Sequence, residues 1–305
     1  GKKAKTFITG GEITGELGVY GYNKGLIELA DKSTATIEVT GGTFDSKVSE
    51  EYYDTEKSEQ TQKNGKYVIG RNTKNDIAQV GDTTYATMKE AYAAQTKSGE
   101  PIVLLKDYAA SDVFSSGSKN RLIDLNNHIW TLTGGNTVTA FEINHKNASL
   151  TVKNGTIISD GYLAAIPYVA NDKYDNSALT FENVQITTNG KNGIETNGML
   201  TNDTITLKNS TLNVPNGFGI YFPSSGAVTI EDSTITAKTM GVQVCAGNLN
   251  VKNSTITVTG SAVSKTENDG AIEDGAAISV VDRAGYKGLG LSLIHISEPT
   301  RRTPI

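Results

Sequence analysis

LTVKNGTII (residues 150–158) alternates apolar and polar residues up to an asparagine and places another apolar residue three positions beyond it. The same pattern returns in LTFENVQIT (179–187), ITLKNSTLN (205–213), VTIEDSTIT (228–236) and LNVKNSTIT (249–257). A further copy, IDLNNHIWT (123–131), carries His128 where the others have a small residue. The anchors are Asn127, Asn154, Asn183, Asn209, Asp232 and Asn253, spaced 27, 29, 26, 23 and 21 residues apart. A constant core pattern at unequal spacing marks a solenoid whose stacked coils differ in their loops.

In every copy the residues four and two before the anchor are apolar, which is the period of a strand and fits no helical spacing. The residue three after it is apolar as well: Trp130, Ile157, Ile186, Leu212, Ile235 and Ile256. The anchor itself sits where the chain turns, since an Asn or Asp side chain bonds to nearby backbone and tolerates left-handed angles. Stacking would bring these side chains into a ladder. Just before the anchor stand Lys153, Glu182, Lys208, Glu231 and Lys252. Stacked in parallel these alternate in sign, and each pair adds at most roughly 0.2–1 kcal/mol, so the row favours one register more than it stabilises.

A third apolar position, at Ile166, Ile194, Ile220, Val242 and Ile278, follows a loop in successive repeats. The expected fold is all-β: a right-handed parallel β-helix with three strands per coil and one short capping α-helix. The helix is expected in VGDTTYATMKEAYAAQTKSG (80–99), with Tyr85, Met88 and Tyr92 on one face, Thr84 as N-cap and Gly99 as stop. It would cover the open end of the solenoid and lead into PIVLLKDY (101–108) as the first strand.

Upstream, TFITGGEIT (6–14) and IEVTGGTFD (37–45) fit the same template, with Gly10 and Gly41 at the anchor. The division expected is 1–45 as the last coils of a preceding β-helix, 46–76 as a polar linker or irregular segment, 77–110 as capping helix and first strand, and 111–290 as a truncated β-helix. LSLIHISEPTR (291–301) departs from everything before it and is similar to the peptide encoded by a transposase-end sequencing adapter. Residues 291–305 are therefore expected to be non-native.

Net charge is −5 and the chain carries no basic patch, which argues against nucleic acid as a partner. No stretch reads as a membrane insertion. The single cysteine, Cys245, excludes an internal disulfide framework.

IEVTGGTFDSKVSEEYY (37–53), the helix-bearing segment and RLIDLNNHIWTL (121–132) are similar to modules in large surface proteins of gut-dwelling Firmicutes, within the pectate-lyase-like β-helix superfamily. The resemblance implies an exported, adhesin-like protein located extracellularly or at the bacterial cell surface, with glycans or host and extracellular matrix as partners. It also raises an enzymatic alternative, a polysaccharide lyase or glycoside hydrolase, but one fold hosts many functions. A lyase of this superfamily uses Ca²⁺ held by carboxylates and an Arg or Lys base. Before residue 291 the only arginines are Arg71, Arg121 and Arg283, none in the central coils. His128 and His145 lie in strand-like context without a partner motif.

The acid singled out is Glu195, expected to point outward from the third strand on a row with Pro167, Tyr221, Gln243 and Ser279. An acid beside an exposed aromatic suits sugar binding, so Glu195, Tyr221 and Gln243 form the candidate ligand site. Glu195 is also the one candidate catalytic group, and glycoside hydrolysis would require a second carboxylate roughly 5–10 Å away. No cofactor motif is present. Two acidic loops, NDKYDN (171–176) and ENDGAIEDG (267–275), offer Asp172, Asp175, Asp269, Glu273 and Asp274 as oxygen ligands for Ca²⁺. The expected function is a non-catalytic module that spaces or presents a binding face, with the enzyme and a purely structural stalk as alternatives.

Overall fold

The structure, a computed structural model, describes residues 4–17, 20–23, 26–29, 35–111, 113–135, 139–167, 174–261, 267–268, 270–281 and 293–297. The chain divides into two compact units, Gly1–Asp76 and Ile77–Ile305.

In the first unit, Ala4–Ile13 pairs in parallel with Ala35–Phe44, with Ala4 opposite Ala35 and irregularities around Thr9. The left-handed residues there are Gly11 and Gly42, one position later than the anchors Gly10 and Gly41 read from the sequence. Residues 46–76 are more ordered than a polar linker. They contain the short 3₁₀ helix Glu50–Tyr52 and a hairpin of Ser58–Lys63 with Lys66–Arg71, which extends the sheet antiparallel to Ala35–Phe44. The hairpin turns at Asn64 and Gly65, both with positive φ, the combination that two-residue hairpin turns require. Ile69 contributes its side chain to a small core with Val39, Phe44, Val48 and Tyr53.

The second unit is a parallel β-helix. First strands of successive coils run Pro101–Leu104, Asn120–Asp124, the leading parts of Ser149–Ser159 and Ala178–Thr188, then Asp203–Lys208, Gly226–Glu231 and Asn248–Lys252. Second strands follow each corner, from Tyr108–Ala110 to Thr255–Val258. Third strands form a separate seven-stranded parallel sheet from Phe114–Ser115 to Ile278–Val280. The first face buries two apolar rows, one of Ile102, Ile123, Val152, Phe181, Leu207, Ile230 and Val251 and one of Leu150, Leu179, Ile205, Val228 and Leu249. Full burial of such a side chain is worth roughly 1.5–3 kcal/mol, so a long stack needs only these rows to be stable.

All six anchors adopt left-handed backbone, with φ between 47° and 65°. The Asn183 side-chain amide donates to Asn154 Oδ1 (3.2 Å), and that of Asn253 donates to Asp232 Oδ1 (3.1 Å). Asn154 donates instead to Asp124 (3.1 Å), because the first of these corners holds two extra residues: Asp124 pairs with Lys153, while Trp130 pairs with Ile157. Leu125 and His128 crowd this corner so closely that a Cβ on Gly155 would stand 2.5 Å from the Leu125 Cβ, which requires glycine there.

Beside the asparagines runs a serine ladder. Ser210 Oγ accepts from the Val184 amide, Ser233 Oγ from Ser210 and Ser254 Oγ from Ser233, each at 3.1 Å. The Asn-Ser-Thr triplets are therefore corner chemistry. Two pairs of the charge row form as its alternation predicts, Lys208–Glu182 at 3.4 Å and Lys252–Glu231 at 2.5 Å, while Lys153 reaches Asp124 (3.4 Å), which the longer first corner brings opposite it.

The capping helix is Met88–Ala94, and its N-cap is Thr87 rather than Thr84. Thr87 and Glu90 form a reciprocal capping box, while Thr83–Tyr85 is a strand in a hairpin with Ala78–Val80. Ala78–Val80 lies antiparallel to Pro101–Leu104 and covers the first edge of the stack. Gly99 is not the helix stop; it lies beyond the C-cap Gln95, in a turn whose amide bonds Asn120. Arg121 ties the cap down. Its guanidinium donates to the Ser116, Tyr92 and Gln95 carbonyls and to Gln95 Oε1, and stacks 3.7 Å from the centre of the Tyr92 ring. At the other end, Leu293–Ser297 pairs in parallel with Asn248–Lys252, setting Ile294 opposite Leu249 and Ile296 opposite Val251.

Candidate functional site

The candidate face belongs to the third sheet, whose strands fix which residues become neighbours. Ala164, Ile194, Ile220, Val242 and Ile278 share the inward row, so Ile166 lies two residues beyond it. The outward row is Ser115, Glu142, Ala165, Glu195, Tyr221, Gln243 and Ser279, with Ala165 in the place expected for Pro167. A shift of two residues preserves which side chains point in and which point out, so alternation could not distinguish the two registers.

Tyr221 and Gln243 are not exposed, as the sequence reading had them. They are 2% and 0% accessible. The segment around Gly270–Ile272 crosses this part of the sheet. A Cβ on Gly270 would come within 2.9 Å of the Tyr221 hydroxyl, and Ala271 joins Phe218, Tyr221, Met240 and Cys245 in a small apolar cluster. Gln243 is held like an added strand partner: its Nε2 donates to the Ile272 carbonyl (3.2 Å) and to Ser279 Oγ (3.0 Å), and its Oε1 accepts from the Ile272 amide (3.0 Å). Both residues fasten the chain's own loop.

Glu195 is partly buried, and its Oε2 accepts from the Asn192 side chain at 2.8 Å. The sequence reading missed Glu142, which shares its row two coils earlier across the small Ala165. Parallel strands stand about 4.8 Å apart, so the two glutamate backbones are about 10 Å apart. Burial pushes the Glu142 carboxyl above its ordinary range.

Of the acidic-loop residues, Asp172 and Asp269 lie outside the described residues. Asp175 accepts from the Thr201 amide of the next coil (2.8 Å), and Asp274 caps its own turn by accepting from the Ala276 amide (2.9 Å). Among the described residues no three His, Cys, Asp or Glu side chains gather as a metal site would require. His128 lies 3.3 Å from Asp107, and His145 Nδ1 lies 2.9 Å from the neighbouring Lys146 carbonyl.

Two other features escaped the sequence reading. A second asparagine ladder, Asn147, Asn176 and Asn202, lines the corner before the first strand, again with left-handed backbone and amide-to-amide bonds of 3.1 and 3.2 Å. Next to it Asp203 is fully buried, accepting from the Ser177 amide (3.1 Å) and the Ser224 hydroxyl (2.8 Å). Burial, with a smaller push from the nearby Asp175, raises its carboxyl to about 7 despite those bonds. The signal for this ladder was present as Asn residues spaced 29 and 26 apart, the same steps as the first ladder over those coils.

No protein-family model, curated protein or solved structure matches this chain.

Proposed function

We infer that this chain is a non-catalytic module of an extracellular or cell-surface protein, similar in kind to the pectate-lyase-like modules of gut bacteria, which spaces and presents a surface toward glycans or matrix. The observation that carries this reading is where the polar corner side chains go. The asparagine and serine ladders bond coil to coil, Gln243 bonds the chain's own loop and Tyr221 packs against it, so these groups are used to build a regular stack. A regular stack that sets Thr211, Thr234 and Thr255 in one exposed row, beside a row of alternating charge, suits display at a distance.

A second reading has one observation in its favour. Glu142 and Glu195 share an outward row, and the raised Glu142 suits a proton donor, which is one half of a two-carboxylate glycosidase. A glycan-array screen of the full chain, with product release assayed in parallel, separates the two. Binding without release is the expected outcome. Cleavage that is lost in both Glu142→Gln and Glu195→Gln would replace the first reading with the second, and the absence of any bound glycan would leave a structural stalk.

A further inference from the structure

A short two-stranded sheet lies across the outward face of the third sheet. In it Glu267–Asn268 pairs antiparallel with Ala271–Ile272, and the pair joins none of the larger sheets. It meets the face through side chains rather than a strand ladder. Gln243 brackets Ile272, donating to its carbonyl (3.2 Å) and accepting from its amide (3.0 Å). Ala271 packs into the cluster of Phe218, Tyr221, Met240 and Cys245. From the covering side this contact is slight, since Ala271 offers one methyl group and Gly270, against the Tyr221 hydroxyl, offers none.

A few residues further on the attachment changes. The Gly275 amide donates to the Thr239 carbonyl, and the Ala276 and Ala277 carbonyls accept from the Gly241 and Val242 amides, each at 2.9 Å. Ile278–Val280 then joins the third sheet as a strand. Between the covering tip and this fixed base stand the turn capped by Asp274 and Gly275, whose φ is 75°. Hinges absorb backbone rotation at such short loop positions next to a fixed element. Under the tip lie Tyr221, Gln243 and Cys245, all buried, and Tyr221 stands beside Glu195 on the outward row. With the tip lifted, the face would present an acid, an aromatic ring and an amide side by side.

We propose that Gly270–Ile272 is a flap that opens and closes over this patch while the stack stays folded, so that Tyr221 and Gln243 are presented only in the open state. Its purpose rests on the reading of the module as one that presents a surface, and the flap identifies which part of that surface is gated. Segments that bury little apolar area are the ones that open locally at low cost. Cys245 is the only cysteine in the chain, and its thiol becomes accessible to a reagent once the cover is away.

The test is the rate at which iodoacetamide labels Cys245 in the full chain at urea concentrations below the unfolding transition, which circular dichroism follows separately. A local opening exposes little surface, so the rate is expected to be nearly independent of urea in that range. Gln243→Ala, which removes the bonds to Ile272, is expected to raise the rate about tenfold. Ala271→Asp, which sets a charge on the flap against the apolar cluster, is expected to raise it similarly with the urea midpoint unchanged, and it leaves the stack's own residues intact should the first variant disturb them. The proposal is overturned if labelling is absent below the transition, if it accelerates with urea as steeply as global unfolding does, or if Ala271→Asp leaves the rate unchanged. Sugar binding is no part of this readout, so a glycan screen that finds no ligand would overturn the presented surface and leave the flap standing.

Discussion

At single positions the stack depends on a conformation that most residues avoid. Asn183 holds φ at 55° and gives its amide to Asn154, so replacing it removes both a tolerated left-handed turn and a coil-to-coil bond. Asn183→Ala is expected to cost about 1–3 kcal/mol, and Asn183→Gly, which keeps the backbone freedom, distinctly less; urea midpoints compare them. Asp203 acts in the opposite sense. Its carboxyl titrates near 7 when folded and near 3.8 when unfolded, so the folded state holds the extra proton between those values. Stability from this group is therefore greatest at low pH, falls as pH rises from about 4 to 7, and stays low above that. Asp203→Asn is expected to flatten that slope, matching the parent near pH 4.5 and exceeding it by about 2–4 kcal/mol at pH 8, as read from urea midpoints across that range.

Among the elements, the cap hangs on one side chain. Arg121 is 7% exposed and gathers three carbonyls and Gln95 around a planar fork. A lysine keeps the charge and loses the fork. Arg121→Ala is expected to cost about 2–4 kcal/mol and Arg121→Lys nearly as much, with amide exchange accelerated first in Met88–Ala94; hydrogen exchange by mass spectrometry tests this. The strands were legible in the sequence because an inward row of aliphatics and a left-handed Asn leave a pattern at every coil. Registers were less so: Ile166 and Ala164 have the same parity, and only their pairing with Thr196 and Ile194 separates them. The helix start was misplaced by three residues because Thr84 and Thr87 both precede apolar positions, and only Thr87 has Glu90 at the reciprocal position. The candidate site was the least legible part. Whether Tyr221 faces water depends on where Gly270–Ile272 runs, and that crossing follows no period.

At the largest scale, the stability of the β-helical unit is a sum over neighbouring coils. In the second unit, among the described residues, the strand-to-strand backbone bonds, the asparagine and serine ladders and the ion pairs Lys208–Glu182 and Lys252–Glu231 each connect one coil to the next. Every such bond lies along the axis of the stack. Tension applied along that axis therefore loads them directly, one coil at a time, and the β-helical unit is expected to yield as an unwinding spool. The anchors are 27, 29, 26, 23 and 21 residues apart, and an extended chain gains roughly 3.3–3.6 Å per residue. Each coil released should lengthen the tether by roughly 70–100 Å in steps of unequal size. Single-molecule force spectroscopy reads those steps directly. Because the step lengths differ, their order would reveal from which end the spool lets go.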